Sequence, residues 1–217
     1  MRIAAVAFDL DGTLIDSEPV WMRCEKTLAC SWGVSSFDPA IALELRGRPL
    51  AYTARRLLDL TEQAPLSEDE AVAAMLSYMA DFYRSEVPWI PGALACLRRL
   101  RMQGFKLALV SSSYRVLLDA VLAGSDDDLF DTTIGGNEVA HAKPAPDPYL
   151  EAASRLGCRP EEMAVVEDSA TGATAGIAAG SPVIVVGDDY HGDEEGIAVR
   201  VPTVADVTAA LLDHVGA

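Results

Sequence analysis

Four short apolar runs punctuate the chain, at residues 3–8, 105–110, 163–166 and 183–186. Each is aliphatic or β-branched and nearly free of alternation between apolar and polar positions. That is the pattern of a parallel strand covered on both faces, where neither row of side chains meets water. Helical periodicity fills much of the space between them. Leu94, Leu97 and Leu100 keep helical spacing ahead of Gly104, residues 149–156 form a second helix ahead of Gly157, and residues 171–179 form a small-residue helix ahead of Gly180. Strands alternating with helices predict a doubly wound, Rossmann-like α/β core with a parallel sheet.

One region breaks the alternation. Residues 17–84 carry helical patterns and no convincing strand. Asp38-Pro39 supplies an N-cap followed by a first-turn proline, and Ser67 with Glu70 forms an S-x-x-E capping box. Beyond that box Val72, Met75, Met79 and Phe82 line one helical face. Residues 13–16 mark the outgoing crossing, and Pro88 and Pro91 mark the return. The predicted organisation is an α/β core of residues 1–16 and 88–217, with a helical insert, 17–87, hinged on two adjacent crossings. The stretch 188–195 is polar and acidic and reads as a surface loop.

Composition narrows the functions. The chain has 217 residues, half of them hydrophobic, enough for a substantial core. Its 33 acidic residues outnumber 17 basic ones, for a formal net charge of −16. An acidic surface repels nucleic-acid backbones and anionic lipid headgroups, so neither is an expected partner. It also repels a phosphorylated substrate, so a phosphate site would need local positive charge or a metal. Cys24, Cys30, Cys96 and Cys158 make no C-x-x-C pair and no zinc-type cluster, which predicts reduced structural thiols. The opening residues reach an acid too soon for a signal peptide, and no apolar run has membrane-spanning length. A cytoplasmic protein, monomer or weak dimer, is the expectation.

Candidate chemistry gathers at strand ends. Asp9 and Asp11 follow the first strand, with Gly12 next, and two carboxylates there can converge on a cation. Taken alone, the pair could also be a solvated strand end. Ser111, Ser112 and Ser113 end the second run, where hydroxyls and N–H groups suit phosphate oxygens, although the same cluster alone reads as an ordinary N-cap. Lys143 sits among Pro144, Pro146 and Pro148, a stiff loop that can aim a point charge or merely expose one. Glu167 and Asp168 end the third run. Hard oxygen ligands of this kind point to Mg²⁺.

In order, FDLDGTL (8–14), LVSSS (109–113), KPAPDPY (143–149) and VVEDSATGATAGIAAG (165–180) closely resemble the four motifs of the haloacid dehalogenase superfamily. An insert just after the first motif is similar to the subgroup with a helical cap there. The resemblance implies that Asp9 is a nucleophile forming an aspartyl-phosphate. It implies that Asp11 is the acid that protonates the leaving oxygen and then the base that activates water. Ser111 would bind a phosphate oxygen, and Lys143 would bridge nucleophile and phosphoryl group. Mg²⁺ would be held by Asp9, Asp168 and the backbone carbonyl of Asp11, with Glu167 assisting as a ligand or from behind.

Within the superfamily, Asp11 argues against dehalogenation, because a halide leaves without a proton. The sugar-phosphate mutases usually carry a histidine where this chain has Trp21, and IDSEPVW (15–21) is instead similar to sugar-phosphate phosphatases. The expected activity is hydrolysis of a small phosphorylated metabolite such as a sugar phosphate. A hexose-phosphate mutase is the alternative, and a non-catalytic binding protein a third. Substrate contacts are expected from Ser112, Glu18, Trp21, Arg46 and Gly47, with Ser113 and Arg115 as further candidates. Trp21 reads equally as core of the insert, and Arg46-Gly47-Arg48 equally as a helix C-cap with solvated arginines.

Overall fold

The computed structural model describes residues 2–61, 66–125, 128–188, 190–193 and 195–216. Its centre is a six-stranded, wholly parallel sheet built from β1 (Ala5–Phe8), β2 (Lys106–Val110), β3 (Thr132–Ile134), β4 (Met163–Glu167), β5 (Val183–Val186) and β6 (Ile197–Val201). The order across the sheet is β3-β2-β1-β4-β5-β6. This is the doubly wound α/β order, and β1 stands at its centre where the winding reverses.

The central strands β1, β2, β4 and β5 are apolar except for Lys106 at the start of β2 and Glu167 at the end of β4, because both of their faces are covered. Val6 and Phe8 of β1 point into one cluster, while Ala5 and Ala7 point into the other. The first cluster is closed by α5 (Ala93–Met102), α6 (Arg115–Ala123) and α9 (Ala209–Val215), the second by α7 (Asp147–Leu156) and α8 (Ala170–Ala179). Alanines in β1 and the small residues Ala173, Ala175 and Gly176 of α8 let that second layer approach closely. α7 ends at Gly157 and α8 at Gly180, as their sequences predict.

Between β1 and α5 stand four helices: α1 (Glu18–Ser31), α2 (Pro39–Leu45), α3 (Leu50–Leu58) and α4 (Glu68–Ser85). Asp38 caps α2 by accepting the N–H of Ala40 at 2.9 Å. The capping box of α4 is present, with the Ser67 N–H donating to Glu70 Oε2 at 2.8 Å and the Glu70 N–H to Ser67 Oγ at 3.3 Å. The buried stripe of α4 is Ala71, Met75, Met79 and Tyr83. It is turned slightly from the expected one: Val72 and Phe82 are only partly buried at its edge, where the Arg23 guanidinium lies over the Phe82 ring. The two crossings are bonded to each other, Asp16 N–H to Pro88 O and Ile90 N–H to Leu14 O, both at 2.9 Å.

Sequence patterning misses two strands. β3 has three residues, two of them half-exposed, and β6 alternates between half-buried and exposed positions. Both lie at sheet edges, where one flank meets solvent and the continuous apolar signature of a central strand is absent. β1 also begins two residues later than its apolar run. In the expected surface loop 188–195, Asp189 and Glu194 lie outside the described residues, and Tyr190 is buried, its hydroxyl donating to Asp193 O at 3.1 Å. The four cysteines are free thiols, and burial pushes Cys24 up to about 12 and Cys96 up to about 11. Among the described residues no helix is long and apolar enough to cross a membrane.

Candidate active site

Because every strand is parallel, their carboxyl ends share one edge of the sheet. Phe8 is level with Leu109 of β2 and with Val166 of β4, so Asp9, the end of β2, and Glu167-Asp168 emerge side by side. The Asp9 N–H is fixed by Val166 O at 3.0 Å. Gly12 then turns the chain at φ 87°, and a side chain there would run into the Asp168 carboxylate. Glycine is therefore required twice over, by conformation and by proximity.

Lys143 is the hub. Its side chain is only 3 % exposed, and its ammonium donates to Asp9 Oδ1 at 2.7 Å, Glu167 Oε1 at 2.6 Å and Val110 O at 2.8 Å. Three acceptors satisfy its three protons. Burial alone would strip the charge from this lysine, but Asp9 and Glu167 outweigh burial and hold its pKa well above the usual range. Glu167, fully buried, also accepts the Tyr149 hydroxyl at 2.6 Å and the Ser169 hydroxyl at 3.1 Å. Gly172 lies against it so closely that any side chain would overlap the carboxylate.

Oxygens of Asp9, Glu167 and Asp168 all lie within 4.8 Å of one another. Burial first, then the neighbouring charge of Glu167, raises the pKa of Asp9 well above the ordinary carboxylate value, with Lys143 opposing. The same two causes push Asp168 up to about 6. Carboxylates crowded into a dry space against their own repulsion form a donor set that a hard divalent cation fits, since its charge offsets what Lys143 alone does not.

Asp11 has turned the other way. Its Oδ2 accepts the Ser113 hydroxyl at 2.9 Å and the Ser111 hydroxyl at 3.3 Å. Ser111 is buried, its N–H is used by Ile134 O, and its hydroxyl also receives the Ser113 N–H. The serine run is thus no N-cap: α6 begins after Tyr114, whose side chain makes no capping bond. Tyr83, buried nearby, feels the charge of Asp11, which adds to burial in raising the phenol's pKa.

A cavity of about 580 Å³ opens above these groups. Asp11, Lys143, Ser112 and Ser113 line its core side, while Glu18, Trp21, Arg46 and Gly47 line the helical side. Arg46 and Gly47 occupy the break between α2 and α3, and Arg46 Nε pairs with Glu18 at 3.2 Å. Ser111 sits behind the lining. Arg115 does not reach the cavity. Its guanidinium donates to Thr133 Oγ1 at 2.8 Å and pairs with Asp119 and Glu138, because the first turn of α6 points it across β3.

Sequence reasoning missed four groups here. Thr13 donates to Asp168 Oδ1 at 3.3 Å, and Tyr149 and Ser169 hold Glu167. Glu25, 6 % exposed, lines the cavity from α1. Tyr149 and Glu25 each sit inside a helical pattern and read there as ordinary helix positions. Ser169 carried a usable signal, because a serine directly after two acids at a strand end is placed to cap the next helix, as it does through the Gly172 N–H at 3.1 Å.

Residues 3–180 match the family model of haloacid dehalogenase-like hydrolases. The chain belongs to that family. This hydrolase is 30% identical over 209 residues to a plasmid-borne phosphoglycolate phosphatase of Cupriavidus necator, covering 95% of this chain and 90% of that one. It is 31% identical over 191 residues to hexitol phosphatase B of Escherichia coli, covering 85% and 84%. It spans about half, 48%, of the bifunctional riboflavin kinase/FMN phosphatase of Arabidopsis thaliana, at 31% identity over 191 residues. Among solved structures it superposes on CbbY from Rhodobacter sphaeroides in complex with phosphate, with a TM-score of 0.80 and 26% identity, covering 95% and 96% of the two chains.

Proposed function

We propose that this hydrolase removes the phosphoryl group from a small phosphorylated metabolite, a sugar or polyol phosphate, through a covalent intermediate on Asp9. The observation that carries this reading is the pairing of buried Lys143 with Asp9 at 2.7 Å, beside Asp168 and at the base of a cavity that Asp11 also lines. Relatives whose names describe a hexitol phosphatase and a phosphoglycolate phosphatase support a small phosphate monoester as substrate.

An Asp9 oxygen bonds to phosphorus as the ester oxygen departs. That oxygen takes its proton from Asp11, which is oriented by the hydroxyls of Ser111 and Ser113. Asp11 then takes a proton from water, whose oxygen attacks phosphorus, and free Asp9 and inorganic phosphate result. The covalent step divides one hard displacement into two. Lys143 fixes Asp9 and places positive charge where the phosphoryl oxygens gather, while Glu167, Tyr149 and Ser169 fix Lys143. Asp9, Asp168 and the backbone carbonyl of Asp11 would hold Mg²⁺, with Glu167 from behind. The ion supplies charge that offsets repulsion between the carboxylate and the phosphate. In this reading residues 17–87 act as a cap over a core of residues 1–16 and 88–217, and their closure excludes bulk water from the site.

The test is a phosphate-release screen over phosphorylated metabolites with Mg²⁺ present, repeated after EDTA treatment and again after Mg²⁺ is restored. The expected result is release from sugar or polyol phosphates that EDTA stops and Mg²⁺ recovers. Turnover indifferent to EDTA, or interconversion of hexose 1- and 6-phosphates without release, would count against the proposal.

A further inference from the structure

Glu18, Trp21 and Glu25 stand at helical spacing on α1 and turn one face toward the cavity. Glu25 is the one that reaches inside. It is 6 % exposed, yet among the described residues its carboxyl makes no hydrogen bond or ion pair. Its oxygens open onto the cavity rather than being sealed in the packed interior, and a carboxyl held in such a wall without a partner costs stability. Burial first, and the charge of Glu18 second, push it up to about 7, so near neutrality it exists in both protonation states and can accept or donate. Thr53 of α3, 4 % exposed, also lines the cavity, and its hydroxyl makes no hydrogen bond among the described residues. The two arginines of the lining are elsewhere. Arg46 is exposed and paired with Glu18, and Arg48 is exposed with its guanidinium over the Tyr52 ring at 5.4 Å. The buried polar groups on the helical side of the lining are therefore the Glu25 carboxyl and the Ser17 and Thr53 hydroxyls, while Glu18 is paired with Arg46 and both arginines are exposed.

We infer that Glu25, with Thr53, is the specificity-determining group for the part of the substrate remote from phosphorus, and that it selects an uncharged polyhydroxylated chain over one ending in a second anion. Hydroxyls both donate and accept, which matches both wall groups. A carboxylate or second phosphate placed there would meet the Glu25 carboxyl with no cation beside it, a juxtaposition that costs several-fold to many-fold in binding. The inference rests on the phosphatase reading above and narrows its substrate class.

Two substrates that differ only at the far end provide the test: glucitol 6-phosphate, ending in a hydroxyl, and 6-phosphogluconate, ending in a carboxylate. The readout is the ratio of their kcat/KM values on one preparation, so any loss of folded enzyme cancels. Wild type should favour glucitol 6-phosphate by at least about tenfold, and Glu25→Gln should shrink that ratio by about tenfold. A wild-type ratio at or below one, or a ratio unchanged in Glu25→Gln, overturns the inference. So does a wild-type preference for glucosamine 6-phosphate over glucose 6-phosphate, which would make Glu25 an ammonium site. Hydrolysis of p-nitrophenyl phosphate without hydrolysis of any sugar or polyol phosphate overturns this inference and the proposed substrate class but leaves the phosphatase chemistry standing, whereas failure on every monoester overturns the phosphatase reading as well.

Discussion

At the scale of single residues, the buried cation of the site is answered by groups that the fold has already positioned. Lys143 is answered by Asp9 and Glu167, and Glu167 in turn by Tyr149 and Ser169. Tyr149→Phe removes one bond to a buried charged carboxylate and nothing else of size. It should lower stability by about 1.5–3 kcal/mol in urea unfolding and reduce kcat as Lys143 loses its fixed partner. An unchanged unfolding midpoint would mean that Glu167 does not need the phenol. Glu25 has the opposite character, a carboxyl the fold burdens rather than satisfies. Its pKa is raised from 4.5 to about 7, so its ionised form is disfavoured in the native state. Native stability from this group is therefore intact below pH 4.5 and declines as pH rises through about 7, with Glu18 the charged neighbour that deepens the loss. Glu25→Gln should thus melt close to wild type at pH 5 and above it at pH 8. A melting difference that does not change with pH would remove the burden argued here.

At the scale of elements, local sequence decides boundaries and tertiary packing decides faces. The capping box of Ser67 and Glu70 starts α4 where its sequence says, and Ser67→Ala should cost about 0.5–2 kcal/mol in chemical unfolding, well away from the cavity. A variant as stable as wild type would show that packing alone sets that helix end. The same helix shows the limit of pattern reading. Its apolar residues announce an amphipathic helix, but whether Val72 or Ala71 faces inward depends on how α4 lies against its neighbours, which no local pattern encodes. Central strands β1, β2, β4 and β5 were legible because burial on both faces leaves an unbroken apolar run, and β3 and β6 were not because edge strands are half wet. The strand-end acids, the serines and Lys143 were legible because their types recur in order along the chain. Tyr149, Thr13 and Glu25 were not, because their roles come from residues that are distant in sequence: 167, 168 and the cavity wall.

At the scale of the whole molecule, parallel strands bring four separated segments to one edge, and helices α1–α4 complete a cavity that the sheet alone would leave open. The molecule carries a net charge of −16, so an anionic substrate is not drawn in by the overall field. In the proposed function its binding would come from the local positive charge of Lys143, from a divalent cation held by the carboxylates, and from neutral contacts along the cavity wall. Everything in this arrangement converges on Asp9. The most direct measurement is acid quenching of the enzyme during turnover with a hydrolysed substrate, followed by peptide mass mapping. The account predicts one phosphoryl group on the peptide containing Asp9, and no label and at least about a thousandfold slower turnover in a folded Asp9→Asn variant. A label on another residue, or near-normal turnover in Asp9→Asn, would contradict it.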